Sequence, residues 1–537
     1  MAVSNSLLGS GLLVAAASCW SYADVLTICD SGSEYESIQA AIDAANDGDT
    51  LEVCQGLYFE NLNTRGKAIE IIGQVDLDGQ PLTIIDGSRS GSVLTCESGE
   101  GAGTRIENLV LQNGLAPQGS GMRNVNSSPT VVNCWFLSNE VEIGNYQTNV
   151  GGGMYNENSS PTVTGCLFSE NTGIYGGGGM AISGADSSPV ITDCQFISNV
   201  NEATDGGGGI FAREGATPII EGCDFIGNEA RFNSGGGALY FKLTDAIVRD
   251  CRFEENFAPV GGAVVCGNDS SEFVNCEFIK NESISTGAMQ ISGENIFNDR
   301  GVLVDNSTFV ENQSGVSGGA IGFGSGGVSS ITESTVIRNS DFERNIAVDG
   351  GGAMYVGVYS EPLIEGCSFR ENMSAFGGAM SNDGASPIIS DCEFFDNVAS
   401  TFFGGAIGNV NHYLGVPSFP IVQNCVIERN YAKTVGGGIG NVSSSKSELI
   451  GTRVCHNIPD QIFPEDGWTD GGGNTVCADC LGDLTEDGFV GGDDLTIVLT
   501  SWGPCENPYY CPPDLNRDGI VNGADLGILL ASWGPCR

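Results

Sequence analysis

The sequence predicts a mostly β fold, a parallel β-helix solenoid, followed by a small α-helical module at its C-terminal end. Three observations carry that prediction. One motif recurs with 25 to 33 residues between successive closing asparagines, the range of a stacked solenoid. Glycine clusters fall between the copies at the same period. From Cys477 onward the repeat length changes to 31 and the motif to an aspartate-rich loop followed by an apolar run.

The solenoid unit is clearest from Ser159 to Asn199. A proline and two β-branched residues lead to a turn residue, then Cys-x-Phe, then Asn, then a loop ending in glycines. The order returns at Pro129–Asn139, Pro218–Asn228, Pro362–Asn372, Pro387–Asn397 and Pro420–Asn430, with looser copies ending at Asn256, Asn281, Asn312 and Asn345. The residue before the cysteine is Asn, Gly or Asp, as at Asn133, Gly165, Asp193 and Asn424. These types tolerate a left-handed backbone, so a tight bend belongs there. Cys and Phe, two apart, then face the same side of a strand. No coil can bury its apolar side alone, so coils must stack. About thirteen coils at the strand spacing give a rod about 60 Å long. Helical repeats fail, because proline, β-branched pairs and glycine triplets stand where a helix needs its interior.

Between coils, ten glycine clusters at the solenoid period, Gly151–Gly153 to Gly436–Gly438, mean crowded backbone positions and not a phosphate cradle. The closing asparagines are expected to form a structural ladder by pairing with backbone groups of their own bend and the next coil. The residues just before them, Glu255, Lys280, Glu311, Arg344, Glu371, Asp396 and Arg429, mostly alternate in sign, which suits neighbouring strands on a solvated seam.

The chain has 537 residues, and a solenoid absorbs that length without adding cores. Its formal charge of −46 excludes nucleic acid, which needs clustered Lys and Arg, and disfavours acidic polysaccharides unless a cation bridges. Leu7–Ala17 is a short apolar run, and Ser21-Tyr22-Ala23 resembles a small-residue cleavage site, so residues 1–23 are expected to be a signal peptide and the protein secreted or at the cell surface. Cys19 is an alternative lipidation site. No later run is long enough for a membrane span.

Nine of the 20 cysteines (Cys134, Cys166, Cys194, Cys223, Cys251, Cys276, Cys367, Cys392, Cys425) occupy one column, replaced by Ser307 and Ser340 in two coils. Stacked in register they should behave as small buried apolar residues, since cross-linking neighbours would strain disulfide geometry. Cys29 and Cys54 stand apart and are expected to pair.

Residues 24–100 should form the N-terminal cap and first coils, and 101–476 the main repeats. Ile38, Ala41, Ile42 and Ala45 make an apolar stripe at helical spacing, stopped by Asp47-Gly48. The pattern IQAAIDAA, then GDTLEV, then G-x-Y-x-E resembles the entry of pectin-lyase-like folds. That resemblance implies a right-handed parallel β-helix whose short helix plugs the open apolar end. The GGA-plus-FxxN signature (Gly318-Gly319-Ala320, Gly404-Gly405-Ala406, Phe369 to Asn372) also resembles the repeats of polymorphic outer-membrane passenger proteins. This implies a display rod.

Residues 477–537 read as two twelve-residue calcium loops. Each has side-chain oxygens at positions 1, 3, 5 and 12, a glycine at 6 and a backbone carbonyl at 7. The ligands would be Asp483, Thr485, Asp487, Phe489 and Asp494 in the first loop, and Asp514, Asn516, Asp518, Ile520 and Asp525 in the second. A short apolar helix follows each (Leu495, Val498, Leu499, Trp502; Leu526, Leu529, Leu530, Trp533). The duplicated EF-hand-type loop-helix resembles a type I dockerin, which implies Ca2+ and a cohesin-like partner. Loop positions 10 and 11, often Ser-Thr in dockerins, are Gly492-Asp493 and Gly523-Ala524 here, a departure from the usual cohesin-selecting pair. Cys480, Cys505, Cys511 and Cys536 are expected to pair within the module, with all three connectivities open.

For catalysis, the sequence lacks the Gly-His-Gly, Arg-x-Lys and Asp-Pro-His-Asp strings of polygalacturonases and uronan epimerases. Its two histidines, His412 and His456, stand in no acid–base motif. The expectation is therefore a non-catalytic rod that binds polysaccharide or surface partners. The alternative is a polysaccharide lyase or glycoside hydrolase using carboxylates on the wall.

Overall fold

Each coil runs through four short strands. In the coil that starts at Pro189 they are Val190–Thr192, Gln195–Ile197, Val200–Asn201 and Ile210–Arg213. Corresponding strands of successive coils pair in parallel, for example Ile191 with Ile220, Phe196 with Phe225 and Ile210 with Leu239. Four continuous sheets result, here numbered 1 to 4 in the order the chain visits them, with 17, 16, 12 and 15 strands. The computed structural model describes residues 23–29, 32–144, 150–202, 205–232, 234–267, 270–293, 301–324, 334–411, 415–477, 481–485, 487–505, 511–516 and 518–536. The expected signal peptide apart from Ala23, and likewise His412 and Cys480, lie outside them. No helix among the described residues is long and apolar enough to cross a membrane.

The stack starts earlier than the cysteine–asparagine repeats. Thr50–Val53, Glu70–Gly73 and Arg105–Glu107 already pair in sheet 1, although their coils lack the motif. Helix α1 (Ile38–Ala44) precedes them, with Ile38, Ala41 and Ile42 buried in the same continuous core as the coils. Its N-terminus is held by Glu60, which accepts from the Ile38 and Gln39 amides at 2.8 and 2.9 Å and from Ser37 Oγ. Cys29 and Cys54 are joined by a disulfide, as are Cys455 and Cys477, which was not anticipated because Cys455 takes the place of an outward strand residue.

Two bends shape every coil. At the first, between sheets 1 and 2, Asn133, Asp193 and Asn424 have φ of 46, 52 and 54°, the left-handed conformation read from their types. At the second, between sheets 2 and 3, the same conformation is forced on Glu255, Lys280, Glu311 and Arg344, with φ from 52 to 57°. Those side chains have no intrinsic preference for it, and each pays about 1–2 kcal/mol. The asparagine that follows supplies the compensation. Asn171 Nδ2 donates to the Phe136 carbonyl of the preceding coil at 2.8 Å and to Asn199 Oδ1 of the next at 3.0 Å. The Asn171 amide donates to that same oxygen. The pattern continues to Asn457, where Gln461 Oε1 accepts the last bond at 3.0 Å. Outside the ladder two neighbours of the charge column pair, with Arg344 3.2 Å from Glu311 and Arg429 3.0 Å from Asp396.

Inside sheet 2 the phenylalanines stack from Phe136 to Phe394, with ring centroids 4.4 to 5.0 Å apart along the unbroken series. That spacing follows from the strand separation, so each ring is buried by the ring above and below. The cysteine column is buried and unbridged. Burial pushes the Cys276 thiol up to about 12, and the enclosed column packs as small apolar groups.

Glycine clusters lie where the chain returns to sheet 4. A Cβ on Gly352 would sit 2.2 Å from the Gly378 carbonyl of the next coil, and one on Gly319 would sit 2.1 Å from the Gly352 carbonyl. The loops also cover the outer face of sheet 4 in a complementary way. Where the sheet bears Phe211 the loop brings Gly176, and where the sheet bears Gly440 the loop brings Phe403.

Asn312→Ala removes the acceptor used by Asn281 and the donor to the Phe278 carbonyl, so it should cost about 1–3 kcal/mol for each orphaned group. Lys280→Ala, one bend away and solvated, should stay within about 0.5 kcal/mol. Chemical denaturation of both variants checks this. A second expectation concerns Glu100, which is buried and joins three coils by accepting from Thr64 Oγ1, the Gly66 and Ser98 amides and Ser127 Oγ at 2.6 to 2.8 Å. Burial raises its pKa, but these donors outweigh burial and hold it below the usual carboxylate range. A depressed folded pKa gives stability that is present above the unfolded value, about 4.3, and lost as pH falls through the folded one. The stability gap between wild type and Glu100→Gln should therefore close as pH drops below about 4.3.

Candidate metal centre

The two aspartate-rich loops and the helices after them, α2 (Gly492–Thr500) and α3 (Gly523–Ala531), pack around a small core of Val490, Val498, Leu515, Val521 and Leu529. Two short antiparallel pairings cross between the halves: Phe489–Val490 with Gly534–Pro535, and Gly503–Pro504 with Ile520–Val521. Of the apolar residues expected to line the helices, Val498 and Leu529 are fully buried and Leu495 and Leu526 partly so, whereas Leu499 and Leu530 face outward and are about half exposed. Trp502 and Trp533 are about half exposed, at 51% and 46%. Each lies beyond its helix, whose C-caps are Ser501 and Ser532, so the helical stripe cannot carry it inward.

In the first loop Asp483 accepts from the Asp487 amide at 3.2 Å and the Gly488 amide at 2.8 Å, and Asp487 accepts from the Phe489 amide at 2.9 Å. In the second, Asp514 accepts from Asp518 and Gly519 at 3.2 and 2.7 Å, and Asp518 from Ile520 at 3.0 Å. The two loops therefore fold alike, turning through Gly488 and Gly519 with φ of 81 and 89°. Such values favour glycine, and a Cβ would meet nothing there, so conformation and not crowding selects it.

The position-12 aspartates are the most enclosed. Asp494 and Asp525 are buried at the third position of α2 and α3, where each accepts from the residue that caps its helix, Gly491 at 2.7 Å and Asn522 at 2.8 Å. Each also reaches back to the loop start. Asp494 accepts from the Leu484 and Thr485 amides and the Thr485 hydroxyl, and Asp525 from the Asn516 amide. Burial pushes the Asp494 carboxyl up, but these amide and hydroxyl donors outweigh it and hold the group ionised, below the usual carboxylate range. Positions 1 and 5 of each loop, and 3 with 12, are thus drawn together. Among the described residues, no three Asp, Glu, His or Cys side chains surround one point in ion-holding geometry. Cys505 pairs with Cys511, and Cys536 is disulfide-bonded.

On the rod, several acids of the wall are tied to arginines of the neighbouring coil. Arg338 grips Asp305 with two nitrogens at 2.9 and 2.6 Å, Arg370 lies 2.8 Å from Glu393, and Arg429 meets both oxygens of Asp396 at 3.0 Å. Arg338 holds the Asp305 carboxyl below its usual range. His456 takes the left-handed second-bend position, with φ 57°, ahead of Asn457.

The family described as right handed beta helix region matches residues 82–229, 175–309 and 292–458. The chain belongs to that family. This β-helix protein also resembles solved structures of low identity. One is the A-module of the mannuronan C-5 epimerase AlgE4 of Azotobacter vinelandii, at 12% identity over 82% of this chain and 94% of that one, TM-score 0.35. Another is a catalytic domain of a GH87 alpha-1,3-glucanase in complex with tetrasaccharides, at 12% identity over 84% and 68%, TM-score 0.34. A third is an E. coli bacteriophage tailspike protein in complex with pentasaccharide, at 11% identity over 77% and 71%, TM-score 0.33. No curated protein matches the sequence. The family match covers the β-helix protein's coils from residue 82 to 458 and stops short of the loop-helix module.

Asp525→Ala removes the acceptor shared by the loop and by the Asn522 cap of α3, and should cost the module about 1–2 kcal/mol. Limited proteolysis between residues 481 and 536 should accelerate, while the rod stays intact.

Proposed function

We propose that this protein is an exported, non-catalytic β-helix rod that binds polysaccharide or cell-surface glycans along its wall. A calcium-ordered, dockerin-like module attaches it to its partner. The observation that carries the non-catalytic reading is the pairing of wall carboxylates with arginines, with Arg338 on Asp305, Arg370 on Glu393 and Arg429 on Asp396. A general acid must keep its proton near neutral pH. The wall acids with resolved shifts, Asp86 and Asp305, lie instead below the ordinary range. At Asp86 burial is outweighed by the Gln112 and Asn113 amides, and Asp305 is held by Arg338. Helix α1 serves as the plug at the open apolar end, and export follows from the apolar run at Leu7–Ala17.

Calcium is supported by the chemistry of the donor set. Asp514, Asn516, Asp518 and Asp525 with the Ile520 carbonyl, and Asp483, Thr485, Asp487 and Asp494 with the Phe489 carbonyl, offer only hard oxygens, the type calcium takes. Bound there, the ion would join carboxylates that otherwise repel one another. A cohesin-like protein is the kind of partner such a module takes, with Gly492-Asp493 and Gly523-Ala524 setting a different preference from Ser-Thr loops.

The second reading is a lyase or hydrolase, and the wall carboxylates Glu157 and Glu214, which lie near Arg213 and flank the buried Tyr155, are the groups that would carry it. Ser183 donates to Glu214 at 2.7 Å. Incubation with pectins, alginates and neutral glycans should give neither unsaturated products nor new reducing ends. Either product, abolished in Glu157→Gln or Glu214→Gln, would establish the second reading.

Adding a chelator to the full chain should lower its helical circular dichroism and expose the 481–536 segment to protease, while leaving the β signal unchanged. Calcium at about a hundred times its dissociation constant should restore the module, with about 2.7 kcal/mol of stabilisation. Asp514→Asn should weaken that recovery.

A further inference from the structure

We infer that the rod's glycan surface is the turn between sheets 3 and 4, and that its ligand class is a neutral polysaccharide; this rests on the binding-rod reading above. The turn follows two-residue strands such as Glu229–Ala230, Glu282–Ser283, Ile346–Ala347 and Val398–Ala399. Within three residues of those strands stand Phe232, Ile284, Val348 and Phe402, exposed by 53, 58, 62 and 50%. Val316 occupies the same turn after Gln313–Ser314 and is also exposed. Coils advance by about 4.8 Å, so these residues recur along one turn of the rod in neighbouring columns, with Ile284 and Val348 directly after the strand and Phe232 and Val316 one residue further. Exposed apolar residues grouped on one turn mark a binding surface.

Charge decides what covers it. The protein carries a formal −46; the turn presents the exposed carboxylates Glu282 and Asp349 beside Ile284 and Val348, and its exposed Arg231, beside Phe232, is ion-paired with Glu202 and Glu229. Uronans, sulfated glycans and anionic lipid surfaces would be repelled. A second copy of the chain would bring the same acids against themselves. A neutral polysaccharide escapes both penalties. The C–H faces of its sugars can lie on Phe232 and Phe402, and its hydroxyls can donate to the acids between coils. The rims of these loops are also set on a packed base, since Phe376 and Phe403 stack beneath them with centroids 5.8 Å apart. The row is therefore presented with little ordering left to do when a chain of sugars lies down on it.

Binding of the full-length protein to insoluble cellulose, chitin and mannan, and to soluble alginate and polygalacturonate, tests the inference. The expected result is retention on at least one neutral glycan and none on the uronans. The Phe232→Ala/Phe402→Ala double variant should lose affinity by at least about tenfold. Phe419→Ala, an aromatic 52% exposed on the turn ahead of Ile421–Gln423, serves as the control and should bind normally. Matching thermal unfolding of wild type and variants shows that the fold is kept. Uronan binding at equal or higher affinity would overturn the ligand class and leave the binding rod standing. Equal loss in the Phe419→Ala control would overturn the surface. A dimer in light scattering that dissociates in the double variant would assign the row to a second copy. Absence of binding to every glycan would overturn the inference together with the reading on which it rests.

Discussion

Everything in the rod depends on the asparagine that closes each coil. A chain that turns twice within a dozen residues must leave backbone groups pointing into its own interior, where an unpaired amide or carbonyl is costly. The asparagine amide resolves both ends at once. Its nitrogen reaches the phenylalanine carbonyl of the coil behind, and its oxygen receives the amide and the nitrogen of the asparagine before it. No other uncharged side chain offers two donors and an acceptor at that length, except glutamine, and Gln461 stands where the ladder ends. The left-handed backbone imposed on Glu255, Lys280 and Arg344 persists because the ladder on either side holds it.

That constraint shapes what the surface can be. Because coils must superpose, whatever one coil projects outward the next projects beside it, and like charges in one column would repel at strand spacing. The wall answers with arginines placed opposite acids, as at Arg338 and Asp305 or Arg429 and Asp396, although the chain has only 21 basic residues against 67 acidic. Arginines are therefore spent on cohesion between coils. The acids in excess of the basic residues leave the protein with a formal charge of −46.

Much of this was legible in the sequence for a physical reason: a solenoid writes each structural role as a column. The cysteine, phenylalanine and asparagine columns, the left-handed bend at Asn133 or Asp193, and the crowding at the glycine clusters could each be read because ten copies agree where one would be ambiguous. What escaped reading was single-copy. The first coils lack the motif, and nothing local announces that Thr50–Val53 pairs with Glu70–Gly73. The second bend escaped because Glu, Lys and Arg do not signal a left-handed backbone. The pairing of Cys455 with Cys477 escaped because it joins the last coil to the segment that leaves it. At the loops the order of aspartates and the glycine turn were readable, and so was their repeated fold. The seat of the two tryptophans was not, because helical spacing was extended past the serines where α2 and α3 stop.

The contrast between rod and module follows from how each buries apolar surface. In the rod every coil is covered by its neighbours, so the core grows with length and needs neither ion nor disulfide along most of it. Among the described residues the loop-helix module buries five apolar side chains in its core. A core that small gives too little stabilisation to offset the ordering of two loops and two helices. Disulfides at Cys505–Cys511 and at Cys536 supply part of the difference. In each loop the first aspartate, Asp483 or Asp514, is occupied by backbone amides of its own turn. Under the proposed calcium binding, folding of this segment would be coupled to the ion in a way that folding of the rod is not.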